Sequence, residues 1–170
     1  VHVLHVPTYS LVDEPLGSTS TQYIATARQH GSLISIDASS SSVLQKFGVN
    51  AYRSIIAALQ PDVFLCNEDE AAVLGISAQQ PMTGAPLTII KQGPLPVIAV
   101  HSDGTAIEIA VPPVVNIVYT TEAGDAFASG FLPTYCDTRA VSAAIPRVND
   151  FASRVFQSPL DTIITSQPQA

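Results

Sequence analysis

A carboxylate stands where a helix should begin in the run Thr120-Thr121-Glu122-Ala123-Gly124-Asp125-Ala126-Phe127. Ala123 and Gly124 are small, so backbone there can approach a ligand closely. The first amides of a helix lack internal partners and point outward, which favours an anion at that end. Asp125 is then an acid placed in a site suited to negative charge. That makes chemical sense if it takes a proton from a hydroxyl that attacks phosphorus. The plainer alternative is a capped helix start with an ordinary first-turn acid.

Two further places carry chemistry-bearing residues. Asn67 and Glu70 are three apart, which puts both on one face of a first helical turn. The same spacing also describes a capping box. Lys91 and Gly93 follow an apolar run, as a strand end and turn would. Several common classes are excluded. The chain has only Lys46 and Lys91, and neither follows a glycine, so no P-loop is present. The nucleophile-elbow and dinucleotide fingerprints are missing too. His2 and His5 would face opposite sides of a strand, so they do not read as a metal pair.

The elements that must position these residues follow from the apolar pattern. Residues 1–6, 32–36 and 63–66 read as short buried strands, with 7–20 as a loop and a helix from Ser20 or Thr21 to His30. Residues 43–59 read as helical, broken near Gly48 and Asn50, and 67–74 as a helix ended by Gly75. Alternation of this kind predicts parallel βαβ units. Residues 87–91, 97–101 and 105–111 are three more strands, the last two joined at Asp103-Gly104. Helices are expected over 124–134 and from Asp137 or Thr138, with a kink or break at Pro146 and helical spacing resumed over 147–156. Residues 159–170 read as a loose tail.

Composition sets bounds. The chain has 170 residues, 46% hydrophobic and 12% charged, with a net charge of −7. Charged residues are about half as frequent as usual, so part of the surface expects cover from missing chain or a partner. The negative charge argues against nucleic acid or an anionic membrane as partner. No apolar run approaches the roughly 20 residues of a membrane span. Cys66 and Cys136 are too few and too distant for a disulfide framework or zinc site, which fits reducing, cytoplasmic conditions. No signal sequence is evident, and a start at Val1 suggests an excerpt or a processed piece.

The run 120–127 resembles the second signature of the ribokinase-like (PfkB) carbohydrate kinases. Pro61 to Glu70 resembles that family's strand and Asn-x-x-Glu helix start, and Thr88 to Pro94 its intervening strand and glycine turn. Gly31 to Asp37 with Ser39-Ser40 is similar to its middle strand and loop. The resemblance covers residues 1–156, the second half of a normal member, with 157–170 as tail. It implies an α/β fold: a three-layer sandwich with a mostly parallel sheet flanked by helices, truncated on its N-terminal side. It implies ATP and Mg²⁺ as cofactors and a sugar or sugar-like alcohol as acceptor. Asp125 would be the catalytic base, with Ala123 and Gly124 in the anion hole. Asn67 and Glu70 would order magnesium largely through water, and Gly93, Lys91 and Asn149 would lie on the nucleotide side. For Lys91 an exposed side chain beside a hairpin-type turn is the preferred alternative, and for Asn149 a surface helix position.

Two residues depart from the signature. Tyr119 replaces an aspartate, so a monovalent cation site is not carried over. Glu122 replaces a glycine; two like charges about 4 Å apart repel by about 4 kcal/mol at an effective dielectric of about 20 and by about 1 kcal/mol in water, where the site survives if the side chain swings into solvent. Pro96 stands where the family often has a second glycine. The expected function is phosphoryl transfer from ATP to an alcohol. The alternative is a catalytically poor relative serving as a nucleotide-binding or assembly module. A third is an unrelated α/β binding domain carrying a chance motif.

Overall fold

The computed structural model describes residues 2–110 and 123–148. The chain divides into two compact units, residues 1–110 and 111–170. In the first, six strands form one sheet in sequential order. Strands β1 (Val3–Pro7), β2 (Leu33–Asp37), β3 (Val63–Asn67) and β4 (Leu87–Lys91) are mutually parallel. Strands β5 (Val97–His101) and β6 (Ala106–Ile109) continue the sheet antiparallel.

Parallel neighbours need crossover connections, and here helices supply them. Helices α1 (Tyr9–Val12) and α2 (Leu16–Gln29) follow β1. Helices α3 (Ser41–Phe47) and α4 (Val49–Leu59) follow β2, and α5 (Glu68–Leu74) follows β3. Their apolar residues Leu11, Ile24, Leu44, Ile56 and Leu74 form one core with the strand residues Val6, Ile36, Phe64 and Ile90. Residues of opposite strand parity, among them Leu33, Val63, Leu65, Leu87 and Ile89, are buried as well. Burial on both faces is why these strands read as continuous apolar runs. Asp62 extends the ladder ahead of β3: its amide donates to the Ile34 carbonyl, and its Oδ2 accepts from the Ile34 amide at 2.7 Å.

Residues 7–20 depart from the expected loop. They hold α1 and the first turn of α2. Threonines at the end of this run and beyond it turn their hydroxyls back onto the helix. Thr19 donates to the Pro15 carbonyl, Thr21 to Gly17 and Thr26 to Gln22. A hydroxyl satisfied at i−4 no longer competes with the helix for its amides. The expected break at Gly48 is present, with φ of 105°, and Ser40 caps α3 by accepting from the Val43 amide.

The second unit contributes α6 (Ala123–Thr138) and a helix over 141–148. Helix α6 runs past the expected end at 134. Pro133 removes a hydrogen bond to Ser129, but both residues are exposed, so the orphaned carbonyl can turn to water. The turn falls instead at Arg139, which has φ of 55°. Pro146 likewise lies exposed within the helix over 141–148 and does not break it. Phe127, Phe131 and Tyr135 stack along one face of α6, with centroids 5.7 and 5.3 Å apart. No helix of the described residues is long and apolar enough to cross a membrane. Residues 111–122 and 149–170, which include the expected end of β6, Pro112-Pro113 and the tail, lie outside the described residues.

Among the described glycines of the first unit, Gly84 leaves the least room for a side chain. A Cβ added there would lie 2.8 Å from the Ala57 Cα, at a φ of 93°. Gly75, the left-handed cap of α5, has φ of 65° but open space around it. Gly75→Ala should therefore cost about 1 kcal/mol, the conformational penalty alone. Gly84→Ala should cost about 2 kcal/mol or more because a clash with backbone is added. Urea unfolding of the two variants checks that order.

Candidate functional site

Four parallel strands that share one register must end at one edge. Pro7 pairs with Asp37, Asp37 with Leu65, Leu65 with Ile89, and Asn67 with Lys91. Thr8, Asp37, Asn67 and Lys91 therefore collect at the carboxyl edge of the sheet. In open parallel sheets this edge is where ligands bind, because helix starts and loop amides face it.

Asn67 ends β3 and caps α5. Its Oδ1 accepts from the Glu70 amide at 2.8 Å, and Glu70 Oε2 accepts from the Asn67 amide at 2.8 Å. Both halves of the capping box are thus formed. This is the alternative weighed from spacing alone, and it orients the two side chains at the edge. Glu70 is only 3% exposed. Burial pushes its carboxyl pKa up; the Asn67 amide and the Lys91 charge oppose that, and the Asp37 charge adds to it. Such a carboxylate gains from a nearby cation. With Oε2 held by the Asn67 amide and Asn67 Oδ1 held by the Glu70 amide, the pair has few oxygens left for direct ligation. A pair with so few free oxygens would suit magnesium, which keeps most of its waters, better than a cation that needs many protein ligands. Among the described residues no three His, Cys, Asp or Glu side chains cluster as a metal site.

Lys91 departs from the exposed position preferred from sequence. Its Nζ donates to Asp37 Oδ2 at 2.8 Å, and the two side chains are 14% and 11% exposed. The reason is topological. Strands β2 and β4 flank β3, about 10 Å apart at the usual strand spacing. A lysine and an aspartate at their ends together span that gap. Gly93, two residues on, opens the turn between β4 and β5 with φ of 58°, and the Leu95 amide closes it onto the Gln92 carbonyl.

Asp37 is the residue that motif reading passed over. Its Oδ1 accepts from the Ser39 amide at 2.8 Å. Its carbonyl accepts from Thr8 Oγ1, the Thr8 amide and Ser39 Oγ. The Tyr52 hydroxyl donates in turn to Thr8 Oγ1 at 2.5 Å. Burial raises the Tyr52 phenol well above its usual range, so it stays a donor, and burial does the same to the Cys66 thiol, which stays protonated. The available signal was a charged residue ending an apolar strand in a chain with few charges.

The remaining candidates lie in the second unit. Asp125 is exposed in the first turn of α6, preceded by Ala123 and the half-buried Gly124. Tyr119, Glu122 and Asn149 lie outside the described residues.

Because burial raises the Glu70 carboxyl above its ordinary value of 4.5, the folded chain binds that proton more tightly than the unfolded chain. Its stabilising contribution is complete below about pH 4.5 and is lost as pH rises through the raised value. Glu70→Gln keeps an oxygen for the Asn67 amide but cannot ionise. Urea midpoints measured from pH 4 to 7 should fall less steeply in Glu70→Gln than in the native protein. Asn67→Ala should lower stability by about 1 kcal/mol at every pH.

No curated protein sequence matches the chain. Among solved structures, adenosine kinase from Sinorhizobium meliloti superposes with a TM-score of 0.79 at 19% identity, over 93% of this chain and 51% of that one. Aminoimidazole riboside kinase from Salmonella enterica gives 0.72 at 21% identity, over 97% and 62%. Fructokinase from Vibrio cholerae O395, in a form with fructose, ADP and calcium ion bound, gives 0.72 at 21% identity, over 92% and 55%. The likeness establishes a ribokinase-like fold, and the chain spans little more than half the length of these proteins. A family profile for pfkB family carbohydrate kinases matches residues 1–168. On that match and that fold, the chain belongs to the pfkB family of carbohydrate kinases.

Proposed function

We propose that this chain is the nucleotide side of a kinase that moves the γ-phosphoryl group of ATP to a hydroxyl of a sugar or sugar-like molecule. The observation that carries the proposal is the convergence of Lys91 with the Asn67–Glu70 pair at the ends of adjacent parallel strands, in a chain of this family. Residues 1–156 form the kinase portion, and 157–170 are a tail. The acceptor pocket is completed by an N-terminal half, or by a second copy, outside this chain. The reaction takes place in the cytoplasm.

Each residue has a defined task in this scheme. Lys91 meets a nucleotide phosphate as a point charge. Backbone amides around Ala123 and Gly124 hold the moving phosphoryl group, and Gly93 lets the β4–β5 turn approach the nucleotide. Asn149 lines its base. Asn67 and Glu70 order the waters of a magnesium ion, which when bound offsets phosphate charge. Asp125 accepts the proton of the acceptor hydroxyl late, once attack on phosphorus has made that hydroxyl acidic. Most of the rate arises from placement and charge stabilisation, as in other phosphoryl transfers. The exposure of Asp125 at the start of α6 supports this role, since a base must reach its substrate.

ADP release measured with adenosine, aminoimidazole riboside, fructose and ribose tests the scheme. Asp125→Asn should lower kcat by about 10²- to 10⁴-fold, the usual worth of a general base, with ADP affinity held within about threefold. Unchanged turnover in Asp125→Asn would remove Asp125 from the mechanism. Nucleotide binding without alcohol-dependent ADP release, in a protein that also carries the part completing the acceptor pocket, would point to a binding module.

A further inference from the structure

We infer that Asp37 is a specificity-determining residue of the nucleotide site: it restrains Lys91 so that the ammonium accepts a phosphate whose charge is already offset by a divalent cation, and discriminates against the bare anion. This rests on the nucleotide reading above. Lys91 Nζ donates to Asp37 Oδ2 at 2.8 Å, with both side chains largely withdrawn from water. A phosphate that reaches Lys91 must therefore come within a few ångströms of a fixed carboxylate.

That carboxylate has little freedom to move aside. Its other oxygen accepts from the Ser39 amide, and Ser39 itself sits in the left-handed region with φ of 62°. The Asp37 carbonyl is held by Thr8 Oγ1, the Thr8 amide and Ser39 Oγ, and the buried Tyr52 hydroxyl anchors Thr8 from below. The Asp37 carboxylate thus stands against the ammonium before any ligand arrives. Metal-free polyphosphate meets that charge in full. A magnesium-bound nucleotide carries less negative charge and meets less repulsion.

The test is binding of pyrophosphate and of ADP, each with and without Mg²⁺, to the native chain and to Asp37→Asn. Asparagine keeps an oxygen for the Ser39 amide, removes the charge and puts an amide donor where Oδ2 accepted from Lys91 Nζ, so the ion pair goes with it. Metal-free pyrophosphate and ADP should bind about tenfold tighter to Asp37→Asn, as loss of a like charge at this range requires. Mg²⁺–ADP should change by less than about threefold. If Asp37→Asn does not fold, Lys91→Gln is the reciprocal variant and should weaken metal-free binding more than Mg²⁺–ADP binding. A native chain that binds Mg²⁺–ADP, with no gain in metal-free affinity in Asp37→Asn or with equal gains for both forms, overturns this inference alone. Absence of nucleotide binding by every protein overturns the nucleotide reading and this inference with it.

Discussion

A sheet whose central strands are buried on both faces has no room for chemistry within it. Every polar side chain there must be paired, or carried to an edge. In this chain the parallel register brings the ends of β1 to β4 to the same edge. The polar groups gather there, and the interior strand positions Leu65, Ile89 and Phe64 stay dry. Asp37 is the hub of that edge. One residue joins the turn after β1, the loop after β2 and the end of β4. Low local dielectric strengthens each of those bonds and raises the cost of breaking any one of them.

The same economy appears at Asn67 and Glu70. Two reciprocal hydrogen bonds satisfy amides that α5 would otherwise leave open. Those bonds also lock both side chains into one orientation at the carboxyl edge. Structural capping and ligand positioning are therefore compatible uses of the same geometry. Beneath them Cys66 and Tyr52 are fully buried, and the Tyr52 ring packs 6.5 Å from Phe64. The polar edge thus rests on apolar packing that holds its donors still, as a preorganised site needs.

Helix α6 uses a different device. Its aromatic ladder, Phe127–Phe131–Tyr135, repeats every fourth residue and stiffens one face. Its proline is placed on the exposed side, where a lost hydrogen bond is replaced by water. The first turn, with Asp125, is therefore carried on a continuous helix of 16 residues. An acid on a regular element is held more firmly than one on a loop.

Much of this was determined by local sequence. Short apolar runs specified the strands, because a strand buried on both faces has no alternation to blur it. Gly48, Gly75 and the Asp103-Gly104 pair marked breaks and turns, since few residues tolerate left-handed backbone. The Asn67 and Glu70 spacing specified a helix start, and the motif order specified the family. Three things were decided only by tertiary structure. Residues 7–20 hold helices, with Leu11 packed into the core, although their proline, glycine and serine read locally as a loop. Pro133 and Pro146 did not break their helices because each sits on the exposed side, and exposure is a property of the packed chain. The Asp37–Lys91 pair joins residues 54 apart in sequence. No local pattern encodes it, because the distance between two strand ends is set by the strand that lies between them.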